Sequence, residues 1–112
     1  IYAKQNISLH GTLNDIFSRI NVVINKLIYK ILYSNMKPKK QKGKVRLFKR
    51  LKESDNEIKK LLSIREVYNR IRMLDHSSYP KAFFKAKGFK LELSEAKLNK
   101  SVLIAKCTIK KF

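Results

Sequence analysis

The sequence has one cysteine, three glycines, two prolines and no tryptophan in 112 residues. A single thiol, Cys107, excludes an internal disulfide framework and any cysteine-based zinc site, and it suits a reducing cytoplasm. Three glycines are too few for a glycine-rich phosphate loop. Acidic residues are also scarce: 8 Asp plus Glu stand against 27 Lys plus Arg, a formal net charge of +19. No apolar run approaches the ~20 residues of a membrane-spanning helix. The opening Ile1-Tyr2-Ala3 has no Met, no basic start and no signal-like apolar stretch. The expectation is a cytoplasmic chain without a membrane partner. What is present in quantity is apolar material, 44% of residues with 10% aromatic, enough for a modest core in one small domain.

The expected fold class is α+β. Leu13, Ile16, Phe17, Ile20, Val23 or Ile24, Leu27, Ile28 and Ile31 recur at intervals of three and four, the period of an amphipathic helix. Thr12 is placed to cap its first amides, with Asp15 three residues on and Gly11 allowing a sharp entry. Such a stripe serves a sheet in its own protein, and the same pattern also suits a membrane surface or a partner helix. No obvious sheet for it follows in this sequence.

Met36–Lys44 changes character. Lys37, Lys39, Lys40, Lys42 and Lys44 crowd around Pro38 and Gly43, which reads as a linker or surface loop. A basic run of this kind either is simply solvated or holds nucleic-acid phosphates, each contact displacing counterions. Val45–Phe48 is predicted as a short strand. Ser63-Ile64-Arg65-Glu66 is a full capping box, with Leu62 and Val67 in the positions of a hydrophobic staple. It opens a second helix whose buried stripe is Ile64, Val67, Tyr68, Ile71 and Leu74, ending near Asp75-His76 before Pro80. Beyond Pro80 the period becomes two. Phe89, Leu91 and Leu93 form one run, and Leu103, Ala105, Cys107 and Ile109 another, joined by a turn at Leu98–Ser101. Ala82-Phe83-Phe84 offers a third strand, completing a small antiparallel β unit.

Catalytic chemistry is nearly absent. His10 and His76 have no metal-ligand cluster around them, and Asp75-His76 reads as the end of a helix, where a cationic His suits the dipole. Cys107 is expected as a buried small apolar residue rather than a nucleophile. Arg50 and Lys52, beside Glu53 and Asp55, are either a phosphate- or carboxylate-recognition pair or a surface ion-pair segment.

The order of residues then resembles a known family. Ile7-Ser8-Leu9-His10-Gly11-Thr12-Leu13-Asn14-Asp15-Ile16-Phe17 is similar to the run that leads into the last long helix of the catalytic domain in the formyltransferase superfamily, the methionyl-tRNA and amino-sugar N-formyltransferases. Phe48 to Ile58 resembles the family's "f.RR.Pe.s.I" loop at Phe48, Arg50 and Ile58, and departs from it at Leu51 and Glu53. Ile71-Arg72-Met73-Leu74-Asp75-His76-Ser77-Ser78-Tyr79-Pro80-Lys81-Ala82-Phe83 is close to "iRaldp.yPgAf", with Lys81 in place of Gly. These matches are collinear from Ile7 to about Ser94.

The resemblance implies transfer of a formyl group from 10-formyltetrahydrofolate to a primary amine, on methionyl-tRNA or on a nucleotide-linked amino sugar. In that family an Asn, a His and an Asp manage proton transfer and the oxyanion, and they lie upstream of the segment matched here. The expectation is a C-terminal part that lacks the α/β catalytic sheet and the folate site and is inactive alone. Residues 1–35 would close the catalytic domain, 36–62 form a basic linker and loop, and 63–112 a helix plus small β unit. No catalytic and no metal-binding residue is assigned. Arg50 and Lys52 are the substrate-binding candidates, Arg50 because a guanidinium suits phosphate. The competing function is a small basic RNA- or polyanion-binding module using Lys37, Lys39, Lys40, Lys42 and Lys44, with Arg65, Arg70 and Arg72.

Overall fold

A computed structural model describes residues 1–60 and 63–112, in two compact units, Ile1–Lys49 and Arg50–Phe112. In the first unit, helix α1 spans Leu13–Tyr33. Its capping box is complete: the Asp15 amide donates to Thr12 Oγ1 at 3.3 Å, and the Thr12 amide donates to Asp15 Oδ2 at 2.8 Å. These bonds hold the Asp15 carboxyl below its ordinary pKa. Leu13 and Ile16 are buried, while Ile24, Ile28 and Ile31 of the same stripe are exposed. The stripe therefore extends well beyond the apolar surface that this unit offers it. Arg19 fastens the lead-in segment, donating to the carbonyls of Ser8 (3.0 Å) and His10. Val45–Phe48 forms no strand, and Val45, Leu47 and Phe48 are almost fully exposed. The segment has no ladder partner there, and strand propensity without one does not hold a strand.

The second unit starts with a 3₁₀ turn at Glu53–Asn56, followed by α2 at Ile64–Leu74 and strands β1 (Ala82–Ala86), β2 (Phe89–Asn99) and β3 (Val102–Lys111). The sheet is antiparallel in the order β1-β2-β3. Two-residue loops join the strands. Lys87 and Gly88 both have positive φ (43° and 84°), the requirement of a tight primed turn that matches strand twist. The second loop is Lys100-Ser101, one residue beyond the centre of the turn read from the sequence at Leu98–Ser101, because Asn99 still pairs with Val102.

Helix α2 begins at the predicted cap, but only half of the expected box forms, the Glu66 carboxylate taking the Ser63 hydroxyl rather than the Ser63 amide. Ser63 Oγ accepts from the Glu66 amide at 3.2 Å and donates to the Glu66 carboxylate at 2.9 Å. Leu62, the other half of the expected staple, lies outside the described residues. Ile71 is 1% exposed and packs with Ile58 and Ala82, and Val67, Leu74, Leu93, Ala96, Leu103 and Ala105 close around them. Full burial of such a side chain contributes about 1.5–3 kcal/mol. Ile64 is 39% exposed, outside the stripe assigned to it. The helix covers only one end of the sheet face, so Leu103 and Ala105 are half-buried while Cys107 and Ile109 are exposed. Alternation placed Cys107 on the correct face, but no element reaches far enough to cover it.

The opposite face carries a charge ladder over Phe83, which is 3% exposed. Lys90 Nζ lies 4.6 Å from the Phe83 ring centroid and pairs with Glu53 and with Glu92 (2.9 Å). Lys110 reaches Glu92 at 2.6 Å. The bond to Glu53, with those to Glu92, raises the Lys90 pKa; Lys110 and Lys90 lower that of Glu92.

Candidate nucleic-acid interface

The lysine-rich segment is anchored by the first residue of the chain. The Ile1 nitrogen donates to the Lys39 carbonyl at 2.7 Å, and the Lys39 amide donates back to the Ile1 carbonyl at 2.8 Å. This pairing folds residues 35–42 against residues 1–4 and leaves a cleft of about 930 Å³ between them. Its lining includes Lys37, Lys39, Lys40 and Lys42 from the predicted run, joined by Lys4 and Tyr2 from the other wall, with no acidic residue. Lys44 is exposed and does not line it. Lys4 and Tyr2 carried no signal in the sequence, because only a contact across more than thirty residues brings them in. Five lysines thus line one open cleft that has no acidic residue in its wall.

The remaining candidates lie in the second unit. Arg50 and Lys52 are exposed, and the Lys52 amide donates to Asp55 Oδ2 at 2.7 Å to start the 3₁₀ turn. Arg65 is exposed on the first turn of α2. Arg70 acts on the backbone, donating to the carbonyls of Asp55 (3.1 Å) and Glu57 (3.5 Å). Arg72 donates to Asn69 Oδ1 at 2.8 Å and lies over the Tyr68 ring. The two latter arginines are therefore engaged within the fold rather than displayed as a basic row.

Asp75 and His76 do not form an acid–base pair. Asp75 Oδ1 accepts from Lys81 Nζ at 2.7 Å, and Oδ2 accepts from the Glu95 amide at 2.7 Å. Partial burial pushes the Asp75 carboxyl up, but these two donors outweigh it and hold it below its ordinary value. The Glu95 amide is available because β2 bulges between Ser94 and Lys97, with Glu95 at a φ of 52°. His76 Nδ1 accepts from the Ser78 amide at 3.0 Å, which shapes the turn before Pro80. Asn56, buried before α2, donates to the Pro80 carbonyl at 2.7 Å. Among the described residues no group of three or more His, Cys, Asp or Glu is placed to hold a metal ion, and no helix is long and apolar enough to cross a membrane.

Residues 53–110 match the family model for the methionyl-tRNA formyltransferase C-terminal domain. The chain belongs to this family. It is also similar to the methionyl-tRNA formyltransferase from Clostridium thermocellum, with 34% identity and a TM-score of 0.91, and the match covers 100% of this chain and 50% of that one. The chain thus spans half the length of that relative. No curated protein matches it. The formyltransferase match runs over the whole second unit from the 3₁₀ turn onward, so the Asp75 anchor, the Asn56 bond and the charge ladder all belong to the family domain. Arg50, Lys52 and the lysine cleft lie before the segment matched by the family model.

Proposed function

We propose that this chain is the C-terminal part of a cytoplasmic formyltransferase that uses 10-formyltetrahydrofolate to formylate methionyl-tRNA, and that its own share of the work is holding the RNA. Residues 1–35 close the catalytic domain, 36–62 form the basic linker, and 63–112 form the C-terminal β unit. The catalytic Asn, His and Asp and the folate site are contributed by sequence other than this, so the chain alone is inactive. Lys37, Lys39, Lys40 and Lys42, with Lys4, take phosphates of the RNA. Lys44 adds to that basic segment, while Arg50 and Lys52, in the second unit, contact substrate phosphate.

The observation that carries this reading is the acid-free five-lysine cleft in a chain that belongs to a methionyl-tRNA formyltransferase family. Electrostatic contacts of this kind govern binding rather than the chemical step. Replacing Lys37, Lys39, Lys40 and Lys42 by Gln in a protein that joins this chain to a formyltransferase catalytic half is expected to raise KM for methionyl-tRNA and leave kcat nearly unchanged. The salt dependence of KM should flatten in the same variant. A KM that does not move overturns the role of the cleft. Turnover of a nucleotide-linked amino sugar in preference to methionyl-tRNA, in the same assay, overturns the choice of acceptor.

A further inference from the structure

Helix α1 carries a second surface that its apolar stripe does not explain. At about 100° per residue, Val22, Tyr29 and Tyr33 fall roughly opposite Leu13, Ile20, Leu27 and Ile31. Burial agrees with that geometry, since Leu13 is buried and Ile20 and Leu27 are half-buried, while Tyr29 and Tyr33 are 66% and 74% exposed. Whatever covers the stripe leaves the tyrosines on the far side of the helix. The two rings sit against each other with centroids 4.5 Å apart and planes tilted by 39°. Contact at i and i+4 favours this side-by-side arrangement of the rings. Lys26 and Lys30 accompany them on the helix, and Tyr33 ends it two residues before Asn35, the first residue of this segment to line the lysine cleft.

We propose that Tyr29 and Tyr33 form a stacking platform for an unpaired base of an RNA strand whose phosphates lie along the lysine cleft. The proposal rests on the nucleic-acid reading of that cleft and adds to it a contact with bases. A ring pair beside a basic track is the arrangement by which proteins hold single strands, the rings taking base faces and the cations the backbone. The platform is a convex helix surface rather than an enclosed pocket. It therefore suits a polymer anchored at several points better than a mononucleotide, which needs concave surroundings to be held. Two copies of this chain meeting through the same surface are disfavoured by a net charge of +19 on each.

The test compares two labelled RNAs with the full chain: an oligouridylate of about twelve nucleotides, within the span that single-strand grooves cover, and a duplex of the same length. Both carry phosphates, but only the first offers free base faces. Tyr29→Ala with Tyr33→Ala is expected to weaken oligouridylate binding by about 5- to 100-fold, to leave duplex binding within about two-fold, and to keep the salt slope unchanged. Tyr29→Phe with Tyr33→Phe keeps the rings and should bind as the parent does. Ala is the best helix former and both sites are exposed, so the variant retains its helix, which circular dichroism verifies. Equal affinity of parent and alanine variant for oligouridylate overturns the platform and leaves the cleft standing. Equal loss for both RNAs also overturns it, as does uridine diphosphate alone binding as tightly as the oligomer. Failure of the parent chain to bind either RNA overturns the platform and the cleft together.

Discussion

Asp75 joins three parts of the second unit through one carboxylate, and its removal should show how far the β unit depends on that junction. It caps the end of α2, takes the Lys81 ammonium ahead of β1, and takes the Glu95 amide at the bulge of β2. Hydrogen bonds to a charged group contribute about 1.5–3 kcal/mol each. The loss falls below the sum of the two bonds, because Lys81 and Glu95 have access to water once the carboxylate is gone. Asp75→Ala is then expected to cost about 2–3 kcal/mol, and Asp75→Asn, which keeps one acceptor, about 1–2 kcal/mol. Urea unfolding followed by circular dichroism measures both, and amide exchange at Glu95 should quicken in the alanine variant. The folded pKa of Asp75 lies below its ordinary 3.8, so its contribution is complete above that value and is lost as pH falls through the folded one. The gap between the parent and Asp75→Asn should therefore be full at neutral pH and begin to close below 3.8. Glu92 titrates in both proteins and cancels from the difference. A gap that is constant down the acid range, or an Asn variant as stable as the parent at neutral pH, would refute the reasoning.

Two further outcomes follow from burial. Ile71→Ala, at 1% exposure, should cost about 2–5 kcal/mol in the same unfolding assay, whereas Ile64→Ala, at 39% exposure, should cost less than about 1 kcal/mol. Cys107 is exposed on β3, so a thiol reagent such as dithionitrobenzoate should modify it in the folded chain at a rate close to that in urea.

The fold was most legible where the determining contacts are local. Thr12 with Asp15, and Ser63 with Glu66, set the starts of both helices through bonds three residues apart, and the chain around each carries the whole pattern. Alternation similarly revealed which residues of β2 and β3 share a face. It could not reveal how far α2 reaches along that face, which is why Cys107 and Ile109 emerge exposed. Val45–Phe48 has strand-like composition, but a strand is a property of its neighbours. The candidate interface was half legible for the same reason. The lysine run is plain in the sequence, whereas Lys4 and Tyr2 enter through the Ile1–Lys39 pairing. Arg70 looked like a surface cation and proves to bind carbonyls of a distant turn, a role that no local pattern announces.

The bulge in β2 also decides where this strand tolerates a change of length. Glu95 and Ala96 together face Ala105, and Leu93, Ala96 and Leu98 all present to the helix-covered side although the first two are three residues apart. Losing Glu95 would restore strict alternation and keep every apolar residue on its own side, at the expense of the bond to Asp75. Losing Leu91 or Lys97 instead would turn part of the strand over and bring charged side chains against Ile71. Position 95 is thus where β2 can lose one residue and keep its core.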